Sequence, residues 1–175
     1  MCIRDSYKHY FYQSDLDNFK KFELELDDQI QNYDVQFFNL VYEQLMLRIE
    51  ESNATYKAIL SSPFDYDIDE TFQSDPDQLE FVSSKKQMRE RWRKQLKLST
   101  LSNYHDLVSE QDSKKEDSVT IIKSKSEYEA ESRAATLKSL EETAVYMNDL
   151  RRDDWLSMYI NSIAESFDPH TFYFC

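Results

Sequence analysis

Apolar residues recur along most of this chain at steps of three and four, the spacing that places them on one face of an α-helix. Leu16, Phe19, Phe22, Leu26 and Ile30 form one such stripe, with Ser14 as N-cap ahead of Asp15 and Asp17. That pattern predicts a helix from Ser14 to about Gln31. The aromatic stretch from Tyr7 to Tyr12 reads as a preceding helical piece. Asn32-Tyr33-Asp34 makes a turn, and Asp34 is expected to cap the next helix.

The strongest periodicity runs from Val35 to about Leu60. Phe38, Tyr42, Leu45, Ile49, Ser52, Tyr56 and Ile59 alternate steps of four and three, the spacing of a helical seam. Phe37, Leu40, Val41 and Leu47 widen its apolar surface, so this segment is expected to be the central helix of a bundle. The short link before it favours an antiparallel pairing with its predecessor. Ser61-Ser62-Pro63 ends it. An acidic loop comes next, carrying Asp65, Asp67, Asp69, Glu70, Asp75, Asp77 and Glu80, with Phe64, Tyr66 and Ile68 alternating as an extended strip.

A basic helix starts near Ser84, with Met88, Trp92 and Leu96 on one face, and continues or restarts through Val108. Residues 109–126 are polar and of mixed charge and read as a flexible connection. Glu127 to about Leu150 is helical again, striped by Leu137, Leu140, Ala144 and Met147. Asp153 and Asp154 cap a last helix with Trp155, Tyr159, Ile163 and Phe167 at strict steps of four. It stops at Asp168-Pro169, because proline has no N–H to donate and drives the residue before it out of the helical region. Beyond it, Phe172-Tyr173-Phe174 prefers extended backbone.

The predicted fold class is therefore all-α: an irregular multi-helix bundle with one long acidic loop and a short extended C-terminal segment. Composition sharpens this. The 175 residues contain no glycine, where average usage of about 7% would supply roughly a dozen. That argues against hairpin-rich β architecture and removes P-loops, dinucleotide-binding turns and the glycine-bearing nucleophile elbow. The formal charge of −13 argues against nucleic acid as the main partner. No apolar run approaches the length of a membrane span. Cys2 and Cys175 fit neither a disulfide framework nor a zinc spacing.

Three constellations invite chemistry. The basic helix with Trp92 could be a polyanion site with a stacking platform, or it could neutralise the acidic loop beside it; the second reading is favoured by the overall negative charge. His9, His105 and His170 are scattered, so no metal ligand is assigned, and Asp168 is expected to cap a turn that holds His170. The acidic residues 65–69 lack the EF-hand pattern and read as solvated. No catalytic or cofactor-binding residue is assigned, and no cofactor is expected.

The order of several landmarks resembles the N-terminal helical region of bacterial tail-specific proteases, the carboxy-terminal processing peptidases. They are Tyr10-Phe11-Tyr12-Gln13-Ser14-Asp15 with Leu26-Asp27-Asp28-Gln29, then Pro63-Phe64-Asp65-Tyr66, Arg91-Trp92-Arg93-Lys94, and Phe167-Asp168-Pro169-His170-Thr171 with Tyr173-Phe174. Trp92, Arg93, Asp168, Pro169, His170 and Thr171 are thereby marked as structural family-motif positions. The resemblance implies that residues 7–167 are a non-catalytic helical domain, and that 168–175 begin a link to a PDZ domain. A protease domain with a serine nucleophile and a lysine base would come after it, acting on the C-terminal tails of protein substrates. The resemblance also implies a location in the periplasm, or on the inner membrane facing it, and a role in framing the protease or docking an adaptor. Residues 1–6 are expected to be a sequencing or cloning remnant. The alternative, from a different class, is a free-standing acidic helical interaction module with no enzymatic parent.

Overall fold

The computed structural model describes residues 8–75, 78–114, 123–168 and 170–173. The expected remnant at 1–6, residues 115–122 of the expected connection, Pro169 and Cys175 lie outside them. Among the described residues there are six α-helices and no strand. They are α1 (Gln13–Phe19), α2 (Leu26–Gln31), α3 (Gln36–Leu60), α4 (Lys85–Lys114), α5 (Lys125–Asp149) and α6 (Arg152–Phe167). The all-α bundle is as the periodicity predicts.

α3 is the central helix. Phe38, Leu45, Ile49, Ser52, Tyr56 and Ile59 of the predicted seam are all buried, as is Leu60, while Tyr42 is half-buried. Its length lets it serve two cores in succession. Near its C-terminal end Tyr56, Ile59 and Leu60 pack with Tyr12, Val82, Met88, Trp92 and Leu96. Near its N-terminal end Phe38, Leu45 and Ile49 pack with Phe11 and Trp155. α5 also serves both, because Leu137 and Leu140 lie on the first core and Met147 on the second.

Several boundaries differ from expectation for local reasons. The first predicted helix is broken: α1 passes into a 3-10 turn at Lys20–Phe22, and α2 begins only at Leu26. Leu16 and Phe19 reach the second core, but Leu24 and Ile30 face solvent and Gln29 is the residue α2 buries. Gln29 is buried because its side-chain oxygen accepts from Phe37 N at 3.0 Å, capping α3 from across the turn. Asp34 also helps there, accepting from Gln36 N at 3.0 Å. Ser14 lies inside α1; the cap position is Tyr12, whose N–H donates to Asp15 Oδ2 at 2.8 Å. Tyr12 is not helical, and forms an isolated parallel bridge with Val82. Leu47, expected to widen the seam, is exposed.

Antiparallel pairing of α1 with α3 is evident from side-chain contacts. Asp15, at the start of α1, meets Arg48 in mid-α3 through two bonds of 2.8 and 2.9 Å, whereas Phe19, at the end of α1, meets Phe37 at the start of α3. Asp15 also accepts from Gln44 Nε2 at 3.0 Å, and the Arg48 guanidinium stacks 4.4 Å from the Tyr12 ring centre. These bonds satisfy a carboxylate that is almost wholly buried, and hold Arg48 above its ordinary pKa.

The turn after α2 shows what a chain without glycine does at a left-handed position. Tyr33 adopts φ 56°, with Asp34 N bonded to Gln29 O at 2.8 Å and Tyr33 N to Ile30 O at 3.3 Å. Those are the two bonds of a Schellman helix end, whose left-handed residue is usually glycine. Tyr33 itself is almost fully exposed.

α4 is continuous from Lys85 through Lys114, so residues 109–114 are helical and not part of a flexible connection. α5 starts at Lys125 because Ser124 caps it: the Ser124 hydroxyl accepts from Glu127 N and the Glu127 carboxylate accepts from Ser124 N at 2.7 Å. α4 and α5 meet along a seam of small hydroxyl residues. Thr100 and Ser132 are fully buried and Thr136 nearly so. Thr136 Oγ1 lies 3.3 Å from Thr100 Oγ1 and accepts from Asn103 Nδ2 at 2.9 Å, while Ser132 Oγ donates to Tyr128 O at 2.7 Å. Small side chains let the helices approach, and each buried hydroxyl has a partner.

Candidate functional site

The acidic loop lies against the basic helix and is fastened to it, as the favoured reading of the charge pattern holds. Glu70 is the carboxylate that does this: it accepts two bonds from the Arg93 guanidinium and one from Lys97 Nζ at 2.7 Å. Arg93 and then Lys97 hold Glu70 down at a pKa of about 2. The other bonds along this strap reach main-chain carbonyls. Lys97 Nζ donates to Ile68 O at 3.2 Å, Lys94 Nζ to Thr71 O at 3.1 Å, and Arg91 to Glu80 O and to Lys8 O. Tyr66 is pushed up to about 12, first by burial and then by the charge of Glu129. Asp65 accepts from Asp67 N at 3.0 Å within its own turn. The acidic side chains between 65 and 69 are exposed, as expected of a solvated loop.

The start of the strap is tied to α5. Arg133 donates to Glu129 at 2.8 Å and to Leu60 O at 2.8 Å, and Glu129 accepts from Phe64 N at 3.2 Å. The last carbonyl of α3 and the first turn of the loop are thereby held by one ion pair. On either side of the strap lies a cleft. One, of about 470 Å³, is lined by Ile68, Phe72, Leu98 and Leu101 beside Lys94 and Lys97. The other, of about 500 Å³, is lined by Ile59, Pro63, Phe64, Lys86, Arg89 and Arg93.

The marked positions fall in two separate places. Trp92 is buried in the first core, against the rings of Tyr10 and Tyr56, so it is no stacking platform for a base. Arg93, one residue on, is in the strap. Asp168, His170 and Thr171 form a turn at the end of α6: Asp168 accepts from His170 N at 3.0 Å, from Thr171 Oγ1 at 2.7 Å and from Thr171 N at 3.1 Å, the last through its main-chain oxygen. The bonds from His170 N and then from the Thr171 hydroxyl lower the Asp168 pKa. Pro169 lies outside the described residues, but its steric effect is visible in Asp168, which is extended at φ −146° and ψ 110°. Phe167, expected to end the buried stripe of α6, is instead 87% exposed, and Phe172 and Tyr173 are exposed with it. Asn161 holds the exit: its amide accepts from Tyr173 N at 2.5 Å and donates to Tyr173 O at 3.0 Å.

The three histidines are dispersed. His9 lies half-buried beside Trp92, with its pKa lowered by burial and then by Arg91, whereas His105 and His170 are exposed. Among the described residues no group of three or more His, Cys, Asp or Glu could hold a metal ion. Among them, too, no helix is long and apolar enough to cross a membrane.

These groups hold chain in place. A carboxylate with a pKa of about 2, paired with a guanidinium whose own pKa is raised, exchanges no proton near neutrality, so the Glu70–Arg93 pair is unsuited to general acid–base work. Sequence reasoning marked Arg93 but not its partner Glu70. They stand 23 positions apart, and no local rule at that separation would pick one acid out of the seven in the loop. Asp15 with Arg48, and Asn161 with Tyr173, carried no sequence signal either.

Comparison with curated proteins gives no match. The sequence pattern of the tail specific protease N-terminal domain, however, matches residues 4–175. That span takes in all six helices, the strap and the exit turn, and the chain therefore belongs to the tail-specific protease N-terminal domain family.

Proposed function

We propose that this region is the non-catalytic frame of a carboxy-terminal processing serine endopeptidase, facing the periplasm, and that it supports substrate-reading and cutting domains and offers a surface to an adaptor. The observation that carries this reading is the family match over residues 4–175. Two features of the fold support it. The ion pairs of the strap are fixed in their charged states near neutrality, as suits a scaffold. The exposed Phe167, Phe172 and Tyr173 gather where the chain leaves the bundle, and an apolar exit is what a docked neighbouring domain would cover. A free-standing module would not need one.

Reading the coding sequence past Cys175 tests the proposal. It should yield a glycine-bearing PDZ segment and then a serine and a lysine in a protease domain; an unrelated domain there would sink it. The 175-residue chain alone should cleave no unstructured protein. Measurable hydrolysis that disappears on substituting one of its serines would place a catalytic site in this region instead.

A further inference from the structure

The strap engages Arg91, Arg93, Lys94 and Lys97 and Glu51 takes Lys85, but two more cations at the start of the basic helix are left over. Lys86 and Arg89 are exposed on the first two turns of α4, and among the described residues their side chains have no hydrogen-bond or ion-pair partner. This is unexpected in a chain of net charge −13, where acids are in surplus. The neighbouring Lys85 does find one, donating to Glu51 at 3.1 Å. Lys86 and Arg89 also stand where cations are least favoured. The first turn of α4 contains no acid, and its caps are the uncharged Ser84 and Gln87, so the positive end of the helix dipole adds to their field.

Both cations border the cleft of about 500 Å³ between the end of α3 and the start of α4. Its apolar wall is Ile59, Pro63 and Phe64. The acid on its rim, Glu90, is already held by Arg93 at 2.6 and 2.9 Å and offers Lys86 and Arg89 nothing. An apolar slot with two uncommitted cations and a helix N-terminus at its lip is complementary to a chain that carries carboxylates on both sides of an aliphatic or aromatic residue.

We infer that this cleft binds an acidic peptide segment of a partner protein, seating one apolar side chain against Ile59, Pro63 and Phe64 while flanking carboxylates pair with Lys86 and Arg89. The inference rests on the reading of this domain as a docking surface, and names the site and the chemistry of the docked segment. An acidic segment is repelled by most of the surface of so acidic a protein, so this positive spot also directs where it lands.

The test uses the full 175-residue chain and a fluorescein-labelled peptide, Glu-Asp-Glu-Leu-Phe-Glu-Asp-Glu, read by fluorescence anisotropy. Binding is expected, and raising salt from about 50 mM to about 300 mM should weaken it severalfold, because exposed pairs are screened. Reversing both cations, Lys86→Glu with Arg89→Glu, should weaken it at least about tenfold. The milder Arg89→Gln should weaken it about threefold, and serves if the double reversal loses helical circular dichroism. Replacing Leu-Phe in the peptide by Ala-Ala should also weaken it. Absence of binding, equal binding by a peptide with lysine for every acid, or indifference to Arg89→Gln would each overturn the inference. So would self-association of the chain in sedimentation that the double reversal abolishes, since the occupant would then be a second copy. None of these outcomes bears on the protease frame, which is judged by the coding sequence past Cys175.

Discussion

The two cores along α3 are built differently, although the same helix supplies both. The core around Trp92 comprises eight buried apolar residues with four half-buried ones against it; the core around Trp155 comprises five, with thirteen half-buried around them. The first is closed over by α4, by the hydroxyl seam to α5 and by the acidic strap. The second is covered by α1 and α6, and α6 buries Trp155 alone, its other residues from 154 to 164 being half-buried on every side. A helix covered equally on all faces, and well on none, is one whose packing the described residues leave shallow. α3 itself is buried as deeply in one core as in the other, so the difference lies in its neighbours: α4 and α5 meet through small hydroxyl residues, while α1 and α6 meet α3 through aromatic rings.

The largest expected effect tests that difference directly. Trp92→Ala should cost about 5 kcal/mol and Trp155→Ala about 3 kcal/mol, the upper and lower ends for deleting a buried tryptophan. Urea denaturation would measure both, and because the chain has two tryptophans, one in each core, the fluorescence of the remaining one reports the other core. Equal costs would erase the distinction. Next in size is the seam: Thr136→Val removes the hydroxyl that accepts from Asn103 and donates to Ser132 O, and should cost about 1–2 kcal/mol. Hydrogen exchange should show the loosening in α4 and α5 and spare α6. A third variant calibrates the first two from outside both cores. Tyr33→Gly relieves the left-handed backbone at φ 56° and should stabilise the whole chain by about 0.5–1 kcal/mol, shifting the unfolding midpoint of both tryptophan signals equally.

The smallest effect concerns pH, and beside the first core it centres on Glu70. Glu70 titrates lower in the folded chain than its ordinary value of 4.5, so its contribution is complete above that pH and is lost as pH falls towards about 2. Between those limits the strap should become more susceptible to an acid-active protease. Glu70→Gln should remove that part of the acid dependence and leave the neutral-pH circular dichroism unchanged.

Much of the fold was legible because it derives from periodicity. The α3 seam and the face made by Met88, Trp92 and Leu96 are buried as their spacing implies. The extent of α4 and the start of α5 were missed because polarity in 109–126 outweighed local propensity, although Ser124 and Glu127 carry a capping-box spacing that marks the helix start. The α5 stripe was placed on its larger apolar residues. The face it buries most deeply is Tyr128, Ser132 and Thr136, four residues apart but polar enough to read as surface. Ile30 and Phe167 failed the other way, since an apolar residue on a helical stripe is buried only if another element reaches it. The strap was legible as a charge balance and illegible as a pairing, because which acid meets Arg93 depends on the path of a loop.

The Asn161 amide gives Tyr173 the one donor and one acceptor that an adjoining strand would give, so the outgoing main chain is gripped by a side chain rooted in α6. α6 is then a crank. Any roll of that helix about its axis turns the heading of the polypeptide leaving it, and the roll is resisted by Trp155, by Tyr159 against Phe37 and Phe38, and by the bond from Arg152 to Asn39. Orientation at the exit is thus geared to the packing of the second core.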